Sequence, residues 1–395
     1  MTKDRVAFIV SDTADKWIGG LNYIANLIRA IQTNPERTIE PVVVVPHNSP
    51  ASLEAMFGDT VLLRSRLVSG RHPLRILGYL AKRFLGRNLA LERFLRENDI
   101  SAISHSPSLG ARSRVPSITW APDFQHRRLP QFFSQEECAL RDARMRKDIE
   151  TASVVVLSSF AAREDLRNFM PEALAKTEVL HFASSLGGGT EYLATPDLER
   201  IYNFSGPYFH LPNQFWKHKN HAVVIEALRA LRSRGLAPLV ICTGSTADYR
   251  NAEHFASLTS LIEQYGISDN FRILGIVPYA HLRSLMRSSI AVINPSEFEG
   301  WSTTVEEARS LGKTIIISDI DVHREQAPTR GLYFDPASHH ELADLMSSTL
   351  QNYDVQTDLL SASEADAEMR DRFLNFGKKY EVIVSRALER SRGGR

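Results

Sequence analysis

Residues 290–318 read IAVINPSEFEGWSTTVEEARSLGKTIIIS and carry the clearest fold signal of the chain. This stretch begins with an apolar run, Ile290–Asn294, and ends with a second one, Thr314–Ser318. Gly312 fits the position just past the end of a helix. Between the two runs, apolar residues recur every three positions and predict the core face of that helix: Val305, Ala308 and Leu311. The stretch therefore predicts strand, turn, short helix and strand, the repeating unit of a parallel sheet.

Two glutamates in this stretch indicate ligand binding. Glu299 lies on the predicted turn and Glu307 lies inside the predicted helix. A carboxylate can accept two hydrogen bonds from neighbouring sugar hydroxyls. We therefore expect Glu307 to hold a ribose and Glu299 to reach the hydroxyls of a second sugar. The alternative is that both acids only favour a helix N-terminus, where acidic residues are enriched.

The start of the predicted helix is suited to an anion. Thr303 and Glu306 match a capping box, and Gly300 permits a tight turn close to a ligand because it tolerates positive φ. The free N–H groups and the positive end of the helix dipole then favour a diphosphate. We expect four consecutive residues to line this part of the site: Gly300, Trp301, Ser302 and Thr303.

The whole chain has the composition of a soluble globular protein with more than one domain. Its 395 residues exceed one ordinary core, and the net charge of +1 argues against a dedicated nucleic-acid binder. Cys138 and Cys242 form no CxxC motif, so they suggest neither a zinc site nor a disulfide and fit a reducing cytosol. The apolar run Val6–Val10 predicts a first strand rather than a signal peptide. No apolar run approaches the ~18 residues of a membrane span.

Short apolar runs alternate with helical patterns along the chain. Near-continuous apolar strands of this kind are typical of parallel sheets that are covered by helices on both faces. We therefore predict an α/β protein with two doubly wound domains, at residues 1–190 and 200–370. The boundary follows from the glycine-rich breaker cluster Ser184–Thr190.

The segment with Glu299 and Glu307 closely resembles the Glu-x7-Glu segment of retaining glycosyltransferases with the GT-B fold, of the family-4 or group 1 type. The resemblance implies two Rossmann-like domains facing a cleft, with a C-terminal helix at about 370–395 packing back on the N-terminal domain. It also implies metal-independent transfer of a hexose-type sugar from a nucleotide-diphosphate sugar to a glycan or lipid-linked glycan, with no cofactor. Glu299 would then orient the donor sugar and Glu307 would hold the ribose. From the fold alone we expect a role in bacterial surface polysaccharide synthesis.

A second segment, Phe209–His221, resembles the first strand, loop and helix of the donor domain in these enzymes. Lys219 matches the family's diphosphate-binding lysine, whereas Asn213-Gln214 stands where the family has an arginine. We expect Lys217 to supply the missing charge. The histidines of the segment fit no common metal site, because no cysteine accompanies them, and we predict no metal.

The C-terminal half of the sequence has three further candidate motifs, which are less specific than the two segments above. Gly244, at a strand end, is a nucleotide-loop candidate, and Gly275–Tyr279 is a candidate wall for the base. Asp319-Ile320-Asp321 spells the DxD of metal-dependent transferases. We discount it, because those enzymes have a different, single-domain fold.

In the N-terminal half, Trp17-Ile18-Gly19-Gly20 resembles the family's Gly-Gly loop, which approaches the diphosphate and the acceptor. We therefore expect Gly19 and Gly20 to lie beside the donor. Glycine pairs also occur in simple turns, so the signal depends on the strand before them and the amphipathic helix after them.

The acceptor side is expected after the strand Ser117–Trp120. Asp123 matches the Asp of the family's His-Asp pair, but Pro122 stands where the histidine would be. His126 is the available substitute, unless it is an ordinary core histidine. We predict a catalytic set of three residues: Glu299, His126 and Asp123.

Between Arg64 and Asn88 the sequence has seven basic residues and no acid: Arg64, Arg66, Arg71, Arg75, Lys82, Arg83 and Arg87. Apolar residues interleave with them, which predicts a basic amphipathic surface for anionic lipid. The enzyme would then be cytoplasmic and peripheral on the inner face of the membrane, close to a lipid-linked acceptor. The alternative is a solvated helix with an ordinary core face.

Two other functions are compatible with the same fold. A nucleotide-sugar-binding module without turnover is left open by the departures at Pro122 and Gln214. A nucleotide-sugar epimerase would need an acid/base set acting on the sugar ring, and we identify none in the sequence.

Overall fold

The computed structural model describes residues 3–10, 18–70, 72–184, 192–248 and 250–393. Parts of three sequence features lie outside these residues: Trp17 of the glycine loop, Arg71 of the basic segment and Ser185–Thr190 of the breaker cluster. The chain divides into two compact units. The first unit comprises Met1–Phe124, Gln135–Ala183 and Asp371–Arg395, and the second comprises Gln125–Ser134 and Ser184–Arg370.

The first unit is built on a seven-stranded parallel sheet. Its strands are β1 (Asp4–Ile9), β2 (Ile39–Pro46), β3 (Val61–Ser65), β4 (Ile100–Ser104), β5 (Ser117–Ala121), β6 (Val154–Leu157) and β7 (Thr177–Val179). In space they lie in the order β3-β2-β1-β4-β5-β6-β7. The central strands are buried on both faces, which explains their continuous apolar sequence.

The second unit is built on a six-stranded sheet that is also parallel. Its strands are β8 (Tyr208–Leu211), β9 (Leu239–Thr243), β10 (Phe271–Gly275), β11 (Val292–Asn294), β12 (Ile315–Ser318) and β13 (Gly331–Phe334). They lie in the order β10-β9-β8-β11-β12-β13. The prediction of two doubly wound, parallel α/β domains is confirmed.

Helices connect the strands in both units. In chain order they are α1 (Ile18–Thr33), α2 (Ala51–Ala55), α3 (Pro73–Leu85), α4 (Leu89–Glu97), α5 (Gln125–Arg128), α6 (Gln135–Thr151), α7 (Phe160–Phe169), α8 (Thr195–Tyr202), α9 (His221–Ser233), α10 (His254–Gln264), α11 (Tyr279–Ser288), α12 (Thr303–Ser310), α13 (Asp321–Gln326), α14 (His339–Gln351) and α15 (Val355–Gly393). The core of the second unit packs α9 and α14 against the sheet.

Two details differ from the sequence-based expectation. Strand β3 was not predicted, because it is a half-exposed edge strand with a weak apolar pattern. Residues 125–134 fall within the predicted N-terminal range but group with the second unit. There Gln125 accepts a hydrogen bond from Arg250, and the ring of Phe132 lies under Lys217.

Each sheet has one point at which the strand order reverses. In the first unit the order leads outwards in both directions from β1 and β4, and in the second unit from β8 and β11. The loops that follow such a pair of strands diverge and leave a crevice at their C-terminal ends, where open α/β sheets bind ligands. Lys219 follows β8 and Glu299 follows β11, so both lie at the reversal point of the second sheet.

Candidate functional site

The loops after β8 and β11 bring Lys219 and Glu299 together. Lys219 Nζ lies 2.6 Å from Glu299 Oε1, and the two side chains are only 15% and 10% exposed. The residues are 80 positions apart in the chain and meet because their strands are neighbours in the sheet. The two residues that the sequence assigned to the diphosphate and to the donor sugar thus form one ion pair.

The environment of Glu299 keeps its carboxylate charged. Burial by itself raises the pKa of Glu299, but the Lys219 ammonium, with help from His323, outweighs burial and holds the pKa below its ordinary value. A lysine ammonium has three N–H donors. Lys219 can therefore hold Glu299 and still donate to phosphate oxygens.

A buried polar network lies beneath this pair. Ser296 Oγ lies 2.7 Å from Glu299 Oε1 and 2.7 Å from Asn294 Oδ1. Asn213 Nδ2 donates to Asn294 Oδ1 over 3.0 Å, and Asn294 Nδ2 donates to Ser302 Oγ over 2.7 Å. The network ties the loop after β8 to the loop after β11 and to the start of α12.

Helix α12 begins one residue earlier than the sequence predicted. Ser302 is the N-cap, and its Oγ accepts the Val305 N–H over 3.4 Å. Thr303 is instead the first helical residue and is exposed. The predicted capping box of Thr303 with Glu306 is therefore wrong, because Asn294 holds the Ser302 hydroxyl in the capping position.

The start of α12 leaves donors for an anion. Gln326 accepts from the Ser302 N–H over 3.1 Å and donates to the Ser302 carbonyl over 3.0 Å. In the part of the chain that the structure describes, the N–H groups of Thr303 and Thr304 donate no hydrogen bond. They remain available for phosphate oxygens.

The glycines before and after α12, Gly300 and Gly312, differ in backbone conformation. Gly312 has φ +62°, which confirms that it ends the helix as a left-handed residue. Among the described residues, Gly300 is not one of the glycines with positive φ, so the turn does not use that freedom. Gly300 and Trp301 are half-buried on the turn.

Glu307 lies within α12 and is approached by Tyr279, the first residue of α11. Tyr279 OH donates to Glu307 Oε1 over 3.2 Å. Burial raises the pKa of Glu307 to about 7, and the Tyr279 hydrogen bond and the Arg283 charge only partly offset it. The residue is half-buried and thus open to a ligand. Near neutral pH it exchanges between the acid and the carboxylate.

Lys217 and Gly244 have surroundings that differ from those of Lys219. Lys217 is exposed, and its Nζ lies 5.4 Å from the centre of the Phe132 ring. Gly244 has φ +137°, and a Cβ there would lie 2.5 Å from the Asn213 carbonyl oxygen. Glycine at 244 is therefore required by the close packing of the loops after β8 and β9. Direct contact of either residue with a nucleotide stays a prediction.

The histidines of Phe209–His221 are core residues. Burial lowers the pKa of His210, His218 and His221 to about 3 in each case, so all three are neutral. His221 stacks on Phe215 with ring centroids 4.1 Å apart. In the described residues, no group of three or more His, Cys, Asp or Glu is arranged to hold a metal ion. Asp319, from the discounted DxD triplet, pairs with Arg324 over 2.6 Å.

Sequence reasoning missed an ion pair beside Lys217. Arg250 Nε lies 3.1 Å from Asp248 Oδ1, and the two side chains are 7% and 2% exposed. Asp248 also accepts the Lys217 N–H over 3.2 Å, and the Arg250 guanidinium lies 5.0 Å from the centre of the Trp216 ring. An acid and a base two residues apart are common in loops, so the sequence does not single out Asp248 and Arg250. Only their burial in the structure distinguishes them from an ordinary surface pair.

The residues expected on the acceptor side, Asp123 and His126, are divided between the units, and the two glycines expected beside the donor lie in the first unit. Asp123 is half-buried after β5 in the first unit. His126 lies in α5 of the second unit, is buried, and meets the Phe133 ring edge-on at 6.4 Å. Gly19 and Gly20 lie in the first turn of α1, and a Cβ at Gly19 would meet no atom within 4 Å. Their roles stay predictions.

Helix α3 carries the predicted basic surface and has no ordinary core face. In α3 only Gly78 is buried, and the apolar side chains are 42–76% exposed: Leu74, Ile76, Leu77, Tyr79, Leu80, Phe84 and Leu85. The alternative of an ordinary core face is therefore wrong.

The charge of this surface is smaller than its sequence suggests. Arg64 pairs with Glu54 over 2.6 Å and Arg87 pairs with Glu92 over 2.5 Å, and Lys82 donates to the Ser108 carbonyl over 2.5 Å. Among the described residues of the segment, three exposed cations have no acidic partner: Arg66, Arg75 and Arg83.

Comparison with known proteins identifies the second unit. Residues 205–366 match the family model described as "Glycosyl transferases group 1". The chain carries a group 1 glycosyltransferase domain. The match covers the segments that hold Lys219, Glu299 and Glu307, and it confirms the prediction of a group 1 glycosyltransferase. No curated protein sequence matches the chain.

Solved structures share the fold of the whole chain. The Anabaena protein HepE, in complex with UDP and glucose, is 16% identical over 97% of this chain and 99% of its own, with a TM-score of 0.66. A glycosyltransferase from Rickettsia africae is 15% identical over 98% of this chain and 99% of its own, with a TM-score of 0.68. WaaG, a glycosyltransferase involved in lipopolysaccharide biosynthesis, is 13% identical over 94% of this chain and 95% of its own, with a TM-score of 0.55. The glycosyltransferase domain thus lies in a chain with the GT-B fold. Across the described residues, the helices include none that is long and apolar enough to cross a membrane.

Proposed function

We propose that the protein is a retaining, metal-independent hexosyltransferase that moves a sugar from a nucleotide-diphosphate sugar to a glycan or lipid-linked glycan, without a cofactor. The observation that carries the proposal is the Lys219–Glu299 contact of 2.6 Å at the reversal point of the second sheet. A cation that can bind the diphosphate and an anion that can bind the sugar hydroxyls lie side by side there. Transfer breaks the bond between these two parts of the donor, so both must be held at one site.

The chain's own groups can stabilise the leaving diphosphate. Negative charge grows on it as the glycosidic bond breaks, and Lys219 Nζ and the N–H groups of Thr303 and Thr304 are donors for it. In the mechanism that the family resemblance implies, the acceptor attacks from the leaving-group face and the diphosphate takes its proton. No side-chain nucleophile is needed, and we assign none. Glu307 holds the ribose, and Gly300, Trp301 and Ser302 shape the turn around the donor.

The solved relatives guide the choice of donor. HepE was crystallised with UDP-glucose and with UDP and glucose, which makes uridine nucleotides the first to test. WaaG acts in lipopolysaccharide biosynthesis. We propose a comparable role for this chain in bacterial surface polysaccharide synthesis, with Asp123 and His126 on the acceptor side and Gly19 and Gly20 beside the donor.

The test is a thermal-shift series with UDP, GDP, ADP, dTDP and CMP and their sugar conjugates. We expect one nucleotide to raise the Tm of the wild type and to lose its effect in Glu307→Ala and Lys219→Ala. Lys378→Ala is the control, because Lys378 is an exposed lysine of α15, outside the loops that carry the proposed donor site. Lys217→Ala tests separately whether Lys217 supplies the charge of the missing arginine. The matching sugar donor is then assayed for transfer.

Two results would contradict the proposal. No stabilisation of a folded wild-type sample by any nucleotide would exclude a working donor site. Donor binding without transfer to any of a broad set of glycan and lipid acceptors would favour a module that has lost turnover. The exposed, uncharged Gln214, which stands in place of the family's arginine, is compatible with such a module.

We also propose that α3 brings the enzyme to the inner face of the cytoplasmic membrane. Seven large apolar side chains project from one 13-residue helix, and the unpaired cations Arg66, Arg75 and Arg83 accompany them. Apolar side chains of this kind bury in the headgroup region of a bilayer, and arginines attract its anionic lipids. Such a location suits a lipid-linked acceptor.

A further inference from the structure

We propose that Ser296 is a positioning residue for the donor sugar, which holds Glu299 so that Oε2 faces the ligand. The proposal rests on the proposed function. Both hydrogen bonds that Glu299 accepts within the described chain end on Oε1, one from Lys219 Nζ over 2.6 Å and one from Ser296 Oγ over 2.7 Å. Oε2 is not among the buried polar atoms without a partner. It is therefore accessible and free to accept a sugar hydroxyl.

Ser296 is itself held rigidly. The residue is fully buried, and its carbonyl accepts from Ser318 Oγ over 2.5 Å. The next residue, Glu297, donates its N–H to the His218 carbonyl over 2.8 Å. The backbone that carries the Ser296 hydroxyl is thus fixed by the end of β12 and by the loop after β8. A fixed hydroxyl can in turn fix the carboxylate that it contacts.

The direction of the Ser296 hydroxyl follows from charge. A serine hydroxyl carries one proton, and two oxygens lie 2.7 Å from Ser296 Oγ, namely Glu299 Oε1 and Asn294 Oδ1. A hydrogen bond to an ionised acceptor is the stronger one. While Lys219 keeps Glu299 ionised, the proton points to Glu299. Ser296 and Lys219 then occupy Oε1 together, and only Oε2 is left for the donor.

This arrangement separates recognition of the sugar from recognition of the nucleotide. Oε2 can contact the transferred sugar, whereas the diphosphate and ribose are bound by Lys219, the start of α12 and Glu307. Loss of the Ser296 hydroxyl frees the carboxylate to rotate, which weakens only the contact to the sugar. A purely structural serine would instead affect nucleotide and nucleotide-sugar binding alike.

The test compares Ser296→Ala with Ser289→Ala. Ser289 is also fully buried in the second unit and also hydrogen-bonded, to the Met286 carbonyl over 2.8 Å. Dissociation constants are measured for UDP with UDP-glucose, GDP with GDP-mannose and ADP with ADP-glucose, and transfer or donor hydrolysis is measured with the pair that binds the wild type. We expect Ser296→Ala to bind the free nucleotide within twofold of the wild type, and to bind and turn over the sugar conjugate about tenfold less well. Ser289→Ala should leave nucleotide binding, sugar-conjugate binding and turnover close to those of the wild type.

The outcomes separate this inference from the function on which it rests. If the folded wild type binds none of the nucleotides, the proposed function fails and the role of Ser296 fails with it. If the wild type binds a pair, and Ser296→Ala behaves like Ser289→Ala, only the role of Ser296 is overturned. Equal losses for the nucleotide and its sugar conjugate in Ser296→Ala would also overturn it, because they would mark a structural defect of the loop.

Discussion

Glu299 and Glu307 have the same side chain and opposite surroundings. Lys219 holds the pKa of Glu299 below its ordinary value, whereas burial raises the pKa of Glu307 to about 7. The difference suits two tasks. A permanent carboxylate can hold a lysine and a sugar together, while a carboxyl that titrates near neutral pH would make the proposed ribose contact of Glu307 sensitive to pH.

The raised pKa of Glu307 predicts how stability depends on pH. Between pH 4.5, the ordinary pKa of a glutamate carboxyl, and pH of about 7, the unfolded chain has released a proton that Glu307 of the folded protein keeps. The free energy of unfolding therefore falls as pH rises through this window. Glu307→Gln has no such proton. We expect the free energy of unfolding of the variant, relative to that of the wild type, to increase by about 1 kcal/mol from pH 5 to pH 8. The value is modest because the half-buried side chain is screened by solvent.

The measurement is urea unfolding of both proteins at pH 5, 6.5 and 8 at constant ionic strength. All other titrating groups are shared, so they cancel in the difference between the two proteins. A difference that is constant across the three pH values would contradict the raised pKa of Glu307.

At the scale of the element, α12 is set by its N-cap. Ser302 Oγ accepts the Val305 N–H and is held by Asn294 Nδ2, whereas Thr303 is exposed in the first turn. We expect Ser302→Ala to reduce the free energy of unfolding by about 1–2 kcal/mol, and Thr303→Ala to change it by less than about 0.5 kcal/mol. Chemical denaturation of the two variants measures both free energies of unfolding and shows whether Ser302 or Thr303 caps α12. A larger loss in Thr303→Ala would restore the capping box that the sequence predicted.

Local sequence predicted what local forces decide. The periodic apolar face of α12 and the left-handed Gly312 both follow from residues within one or two turns of each other. The N-cap could not be predicted, because Thr303-Glu306 is the better local pattern and Ser302 is selected by Asn294 from the preceding strand. The sequence assigned Lys219 and Glu299 separate roles and did not predict their contact, because that contact depends on the adjacency of β8 and β11 in the sheet.

At the scale of the whole molecule, the same sheet topology occurs twice, and each unit has its own reversal point. The predicted donor residues of the second unit follow β8, β9 and β11, while Gly19 and Gly20 of the first unit lie in the first turn of α1, the helix after β1. Sequence could predict this repetition, because continuous apolar strands recur in both halves. It could not predict how exposed α3 is, since an amphipathic pattern is the same whether its apolar face packs inwards or stays open.

The exposure of α3 predicts binding to anionic membranes through apolar and cationic side chains together. Leu77→Glu replaces a 61% exposed leucine of α3 by an acid, and Leu140→Glu is the matched control at a 71% exposed leucine of α6. Burying one leucine in a bilayer contributes about 1.5–3 kcal/mol, so we expect Leu77→Glu to weaken binding to vesicles of phosphatidylglycerol and phosphatidylcholine at least tenfold. Leu140→Glu should have little effect.

The charged side chains give an independent arm of the same prediction. An arginine near an anionic surface contributes about 1 kcal/mol, so Arg83→Ala should weaken vesicle binding about fivefold at low salt and less at high salt. Arg64→Ala is its control, because Glu54 already neutralises Arg64. Co-sedimentation with vesicles at two salt concentrations measures both arms. No binding of the wild type at low salt, or equal losses in each variant and its control, would mean that α3 serves a different contact, because its apolar side chains would then be exposed without a bilayer to bury them.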